Sequence, residues 1–340
     1  MELMPINQIT EEIKTLMMEA RTTAALEINK QLLKTYWNIG RIIVEHEQEG
    51  NLRAQYGKRL LAELSKELTR ELGKGFSRSN LQNMRNFYLA YSNLPDVSGK
   101  LTWSHYCEFL GVSDQAARDF YEKECVNSGW SVRELKRQIN TSLFERLLLS
   151  DGKANKETVL ALSREGVLIN EPQDIMKDPY VFEFLGAREQ KPVLEKDLEA
   201  KLIRHIEDFL LELGRGFMFV GSQQRVTLGN RHYYVDMVFY NKILKAYVLI
   251  DLKIGQLEPE HVGQMNMYLN YYSAEVNDEG DQSPIGIVLC TDKHEVMAEF
   301  AFGGLANNIF ASRYTYYIPD KEQLIHEVKA LLESEGAENE

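Results

Sequence analysis

From residue 7 to about 150, apolar positions recur at three- and four-residue spacing, through Leu32, Tyr36, Ile39 and Ile43 and again through Leu60, Leu64 and Leu68. That is the period of helices packed on a shared core, and strand signals are scarce in this stretch. The second run meets the flexible turn Gly73-Lys74-Gly75. Ser77 then stands as the N-cap of a helix through Leu81, Met84, Tyr88 and Tyr91. Helix, glycine turn and capped helix make a helix-turn-helix outline.

Residues 151–186 are mixed in pattern, and Lys191-Pro192 reads as a boundary. A single helix is expected from about Glu195 to Leu213, stopped by Gly214. The period then changes. Phe217 to Val226, Tyr233 to Tyr240 and Tyr247 to Lys253 read as strands joined by turns at Gly229-Asn230 and Asn241-Lys242, a β-meander. A helix around Pro259 to Tyr272, a strand from Ile285 to Cys290, a short helix near Glu295, a strand from Tyr314 to Ile318 and a last helix complete the order α-β-β-β-α-β with additions. The second and third strands are apolar on both faces. They are therefore expected inside a sheet covered on both sides.

The 340 residues suffice for two ordinary domains. The expectation is an α+β chain. Residues 1–150 form an all-helical domain, 151–190 a connecting helical segment, 191–332 an α/β domain with a mixed sheet, and 333–340 an acidic disordered tail. The longest apolar run, Ala246 to Ile250, is far short of the roughly 20 residues that cross a bilayer. No signal-peptide pattern stands at the N-terminus, so no membrane partner and a cytoplasmic location are expected. Cys107, Cys125 and Cys290 are scattered without ligand spacing, which argues against a disulfide framework or a structural zinc site. There is no HExxH and no Gly-rich phosphate loop.

The net charge of -12 speaks at first against a nucleic-acid partner. Its distribution weakens the objection, because Asn51 to Lys100 carries nine bases against four acids. Within that stretch Arg78, Asn80, Gln82 and Arg85 lie outside the apolar stripe of the Ser77 to Tyr91 helix. They are side chains of the kind that contact phosphates and base edges, although a solvated face would look the same. Trp103 and His105 read as residues that close the helical core.

The chemistry-bearing positions lie in the second and third strands. Asp236 sits within Tyr-Tyr-Val-Asp-Met-Val-Phe-Tyr, and Asp251 and Lys253 close Tyr-Val-Leu-Ile-Asp-Leu-Lys. Asp is disfavoured in strands, and an unpaired buried charge costs at least several kcal/mol, so acids in two adjacent buried strands need compensation. A divalent cation, Mg²⁺ or Mn²⁺, supplies it, and the two-residue period puts Lys253 on the face of Asp251. A structural salt-bridge cluster is the alternative. In the preceding helix Glu199 shares the stripe of Leu202, Ile203 and Ile206, with Glu195 or Asp208 taking its place if the phase differs. Gln264 stands beside the stripe of Met265, Tyr268, Leu269 and Tyr272, able to offer its amide to a phosphate or a bound water, or to act one layer further out.

Tyr234-Val235-Asp236, then Ile-Asp-Leu-Lys-Ile-Gly at 250–255 and Gly-Gln-Met-Asn-Met-Tyr-Leu-Asn-Tyr-Tyr at 263–272, resemble the YhcG-type family of PD-(D/E)XK nucleases. So do Phe-Leu-Leu-Glu-Leu-Gly-Arg-Gly-Phe-Met-Phe-Val-Gly-Ser-Gln at 209–223, Tyr-Trp-Asn-Ile-Gly-Arg at 36–41 and Leu-Thr-Trp-Ser-His at 101–105. The resemblance covers nearly the whole chain. It implies a helical DNA-binding-like N-terminal domain and a restriction-endonuclease-like C-terminal core. It further implies metal ligation by Asp236 and Asp251, catalysis by Lys253, and supporting roles for Glu199, as a further ligand, and Gln264. Two positions depart from the pattern: Val235 stands where proline is usual, and Asp251 where glutamate is more frequent.

The expected activity is metal-dependent endonucleolytic hydrolysis of phosphodiesters, in DNA rather than RNA, with the helical domain serving recognition or homodimerisation. Two other readings are a catalytically silent nucleic-acid-binding protein and a partner-binding subunit of a defence or repair complex.

Overall fold

Helix α1 (Ile6–Glu49) packs through Leu33, Ile43 and Val44 against α2 (Ala54–Leu72) and α3 (Arg78–Ala90), whose Leu61, Leu81, Met84 and Phe87 are buried. The crossing of α1 and α3 is close at Gly40, where a Cβ would collide with the main-chain carbonyl of Met84. In this computed structural model residues 6–49, 54–91, 99–150, 156–186, 194–292, 308–318 and 320–338 are described. The expected boundary at Lys191-Pro192 and the expected helix near Glu295 lie outside them.

The turn between α2 and α3 follows the expected outline. Ser77 Oγ accepts the amide of Asn80 at 3.3 Å as the N-cap of α3. Trp103 opens α4 (Trp103–Phe109), packs at a tilt against Tyr36 with ring centroids 4.8 Å apart, and donates its indole N–H to Asn80 Oδ1 at 2.7 Å. Buried His105 accepts the Thr102 amide at 3.0 Å. Both close the core, as their positions suggested. Helix α5 (Gln115–Ser128) follows, and α6 (Val132–Asn140) leads on toward the second half of the chain.

By internal contacts the chain divides into two units, 1–136 and 137–340. This division and the boundary expected at 150 differ by segment 137–150, which ion pairs tie to the second unit. Arg137 pairs with Glu183 at 2.7 Å and Glu212 at 3.1 Å, and fully buried Arg146, on α7 (Leu143–Ser150), pairs with Glu212 at 2.7 Å. Glu212 lies on α10 (Ile206–Leu213), so segment 137–150 belongs with the sheet that α10 covers. The segment after α7 holds α8 (Lys156–Glu165) and a two-residue strand β1 (Tyr180–Val181), which periodicity did not reveal.

The expected helix from Glu195 to Leu213 is two helices, α9 (Glu195–Arg204) and α10, broken at His205, whose ψ of 36° leaves the helical region. The meander forms as expected from β2 (Phe217–Leu228), β3 (Arg231–Asn241) and β4 (Ala246–Gln256), all antiparallel. Helix α11 (Pro259–Glu275) crosses to β5 (Ile285–Asp292), parallel to β4, and β6 (Ile309–Thr315) is parallel to β5. The sheet is mixed, in the order β1-β6-β5-β4-β3-β2, with β3 and β4 internal.

One face packs Leu198, Leu202, Phe209 and Leu213 of α9 and α10 onto Phe239, Ile250, Leu252 and Ile287. The other packs Val262, Met265, Tyr268 and Leu269 of α11 onto Val235, Leu249 and Val288. Two positions correct the sequence reading. The last strand was expected at Tyr314 to Ile318 but runs Ile309–Thr315, because its pairing with β5 spans Gly286↔Ile309 to Cys290↔Arg313. The tail expected to be disordered from 333 is helical to Glu338 as the end of α12 (Lys321–Glu338), whose start Asp320 caps; residues 339 and 340 lie outside the described ones. Among the described residues no helix is long and apolar enough to cross a membrane.

Candidate active site

The site forms where β3 and β4 part. Their backbone pairing reaches Met237↔Ile250 and goes no further, while β4 continues with β5 through Asp251↔Val288 and Lys253↔Cys290. Beyond the last pair, Asp236 Oδ2 accepts the main-chain N–H of Leu252 at 2.9 Å, so a side chain does the work of the ladder. Asp236 and Asp251 are thereby neighbours across the opened strands.

Asp251 is only 2% exposed, and Lys253 Nζ lies 2.8 Å from its Oδ2. That ammonium is the nearest charge partner of the Asp251 carboxylate. Burial raises the proton affinity of Asp251 even against the field of Lys253. Burial and the charge of Asp251 push Asp236 up to about 6. Lys253 moves the other way from what burial alone would do: Asp251 and then Glu195 outweigh desolvation and hold it protonated.

Two helical acids approach from α9. Glu199 is buried among Leu198 and Leu202, as its stripe implied, and burial followed by the field of Asp236 raises its proton affinity. Glu195 stands one turn earlier, with Oε2 3.6 Å from Lys253 Nζ and Oε1 accepting the amide of Ile254 at 3.2 Å. The helix phase therefore gives both acids a place, Glu199 beside Asp236 and Glu195 beside Lys253.

Gln223 was not foreseen as a site residue, although it ends the Gly-Ser-Gln segment of the resemblance. Its Nε2 donates to Glu199 Oε2 at 2.7 Å and to Asp236 Oδ1 at 3.2 Å, bridging the two carboxylates. Its φ of 48° is rare for a residue with a side chain and places the amide between the acids. The one available signal was the polar run from Ser222 to Arg225 in a strand that opens on Phe-Met-Phe-Val.

Gln264 is not bonded to the acids. Its amide donates to Tyr268 Oη at 2.6 Å, and that hydroxyl donates to the carbonyl of Tyr234 at 2.8 Å, tying α11 to β3 two residues before Asp236. Among the described residues, no three His, Cys, Asp or Glu side chains converge closely enough to hold a metal ion as they stand. An amide separates Glu199 from Asp236, and an ammonium rests on Asp251.

In the N-terminal unit the four residues of α3 separate. Arg78 is exposed at its start, Gln82 donates to Asn86 at 2.9 Å, and Arg85 is paired with Glu47 at 2.7 Å. The i, i+4, i+7 spacing places Arg78, Gln82 and Arg85 on one side. Asn80 instead serves the fold, donating to the Gly75 carbonyl at 2.5 Å and accepting from Trp103.

Comparison with known proteins finds two family matches along the chain. Residues 173–329 match the YhcG PDDEXK nuclease domain, and residues 12–146 match the DUF1016 N-terminal domain. The chain is 38% identical over 353 residues to the Escherichia coli (strain K12) protein named "Putative nuclease YhcG", covering 94% of this chain and 93% of that one. Among solved structures, a repair endonuclease from Pyrococcus abyssi overlaps 37% of this chain and 48% of its own, at 17% identity and a TM-score of 0.26. EndoMS in an EndoMS-dsDNA2 complex overlaps 39% and 49%, at 19% identity and a TM-score of 0.26. With a relative this similar along almost its full length, and the nuclease domain matched over the sheet that carries Asp236, Asp251 and Lys253, the chain belongs to the YhcG family.

Proposed function

We propose that the protein is a metal-dependent endonuclease that hydrolyses phosphodiester bonds, in DNA in preference to RNA. The observation that carries the reading is the pair Asp236 and Asp251, held side by side where two internal strands part, with Lys253 Nζ 2.8 Å from Asp251. A salt-bridge cluster serving only stability would be poorly built this way. Asp236, Asp251 and Glu199 all have raised proton affinity, because burial outweighs what positive charge and hydrogen bonds the site supplies.

That donor set, all oxygen and largely carboxylate, fits a hard divalent cation such as Mg²⁺ or Mn²⁺. When bound, the cation supplies Lewis-acid stabilisation of the phosphate and a more acidic water. Asp236, Asp251 and Glu199 are the residues that would hold it, once the Gln223 amide and the Lys253 ammonium give up their contacts with the acids. Lys253, kept protonated by Asp251 and Glu195, does not serve as a base. It places a fixed positive charge beside the phosphate, where negative charge grows in the transition state. Gln264 acts through Tyr268, holding the Tyr234 end of β3 in register with α11. The N-terminal unit contributes recognition through the Arg78 side of α3, and the protein is expected to act in the cytoplasm.

The test is incubation of the purified protein with linear duplex, single-stranded and branched DNA and with RNA, in Mg²⁺, Mn²⁺ or chelator. Cleavage of at least one DNA substrate in metal and none in chelator is expected. Tight binding without cleavage in either metal would establish the silent nucleic-acid-binding reading instead.

A further inference from the structure

Beside Lys253, at the C-terminal ends of the parallel strands, lies a cavity of about 430 Å³, within the ~300–1,000 Å³ range of small-molecule sites. The strand register places it. Lys253, Cys290 and Arg313 lie side by side on the parallel strands β4, β5 and β6, and the next residues on each, Ile254, Thr291 and Tyr314, line the cavity. The C-terminal ends of parallel strands are where α/β sheets place their ligands. The cavity adjoins the main chain of the site, because the hydroxyl of Tyr314 donates to the carbonyl of Lys253 at 3.2 Å.

Its walls are aromatic. Tyr316 packs edge-on against Tyr314 with centroids 5.5 Å apart, and Tyr317 is 67% exposed at the rim. Packing does not explain an exposed tyrosine at the rim of this cavity. The polar lining from α12 is acidic: Glu327 accepts from Gln323 at 2.9 Å, Asp320 caps the helix, and the guanidinium of Arg313 is already held by Asp178 at 3.0 Å. Among the described lining residues no cation is left over, and carboxylates repel phosphate. They accept hydrogen bonds from the amino edges of bases, and the tyrosine faces stack on any base.

We infer that this cavity binds an unpaired nucleobase of the strand whose phosphodiester lies at Asp251 and Lys253, so that the preferred substrate is single-stranded or frayed next to the cut. The inference rests on the nuclease reading for the placement of that phosphodiester. A base within a duplex is stacked and paired and cannot enter, whereas an unpaired base is free to turn in.

The experiment measures binding of the full-length chain, in chelator, to a short single-stranded oligodeoxynucleotide and to a blunt duplex of the same sequence. Tyr317→Ala, on an exposed side chain, and Tyr316→Ala should each weaken single-strand binding by about tenfold or more and leave duplex binding unchanged. Tyr317→Phe should bind as the parent does, since the ring and not the hydroxyl stacks, and thermal melting of each variant reports folding. Equal losses on both substrates, no loss on either, or a parent that does not bind the single strand would overturn the inference. Because binding is read without cleavage, the two proposals fail separately. A selective loss in a protein that cuts nothing in Mg²⁺ or Mn²⁺ would retain the base site and remove the nuclease reading. Unchanged single-strand binding in variants that still cut would do the reverse.

Discussion

Asp236 accepts the main-chain N–H of Leu252 at 2.9 Å, so a side chain of β3, not its backbone, holds β4 beyond the last ladder pair. The same carboxylate thus has a structural and a proposed ligand role, and two substitutions separate them. Asp236→Asn keeps an acceptor for Leu252 and should preserve the fold while Mg²⁺ affinity, read by calorimetry, falls. Asp236→Ala leaves that N–H without its partner and should cost a further ~1–3 kcal/mol in chemical denaturation. Equal stability of the two variants would mean the bond does not hold the strands.

Gln223 bridges Glu199 and Asp236 from a left-handed backbone position. Removing the amide leaves two acids facing each other without a donor, a cost that an added cation would relieve. The Mg²⁺-induced rise in Tm should therefore be larger in Gln223→Ala than in the parent protein. In chelator, Gln223→Gly should be more stable than Gln223→Ala, since glycine adopts positive φ without strain. An equal rise in Tm would separate Gln223 from the cation site.

What could be read along the chain and what could not follow from the same physics. Asp236, Asp251 and Lys253 stood out because a charge inside an apolar strand is conspicuous, and the meander followed from its alternation and turns. Gln223 was hidden because a polar residue on β2, an edge strand of the sheet, looks like solvent-facing surface, and positive φ leaves no mark on a residue type. Glu195 was overshadowed by Glu199, which shares the buried stripe, since a long side chain in the first turn reaches the site without lying on that stripe. The strand β6 was displaced because Tyr314 to Tyr317 have strong β propensity, yet parallel pairing with β5 fixed the register five residues earlier, at Ile309. Asn80 looked like a base-reading side chain because its bonds to Gly75 and Trp103 are made across the turn and from another helix.

That placement of Asn80 separates it from Arg78. Asn80→Ala should lower the stability of the protein by about 1–3 kcal/mol, through the lost bonds to the Gly75 carbonyl and the Trp103 indole. The salt slope of nucleic-acid binding should stay as it is. Arg78→Ala should do the opposite, leaving stability unchanged and reducing the slope by about one. Binding titrations across salt concentration, beside thermal melts, check both. An unaltered slope for Arg78→Ala would mean that this side of α3 faces something other than phosphate.

Glu212 sets the acid limit of the C-terminal unit. Burial alone would raise its proton affinity, but Arg146, Lys177 and Arg137 together outweigh it and lower the carboxyl to about 2 from an ordinary 4.5. The unfolded chain thus takes up a proton at higher pH than the folded one. The stabilisation is fully present above about 4.5 and is lost as pH falls toward 2. Glu212→Gln should flatten the acid limb of the stability curve. It should also cost about 3–5 kcal/mol at neutral pH, because Arg146 is left buried without its charge partner. Denaturant midpoints from pH 3 to 7 report both effects, and parallel curves for parent and variant would exclude Glu212 as the acid-sensitive group.

The central claim, that Asp251 binds the cation while Lys253 acts on the phosphate, is tested by calorimetric Mg²⁺ titration beside single-turnover cleavage for Asp251→Asn and Lys253→Ala. Asp251→Asn should lose cation affinity and cleavage together and gain stability in chelator, since a buried negative charge has gone. Lys253→Ala should still bind Mg²⁺, with cleavage slowed by at least about a hundredfold. If both variants cut as fast as the parent protein, the active site lies elsewhere and the account is wrong.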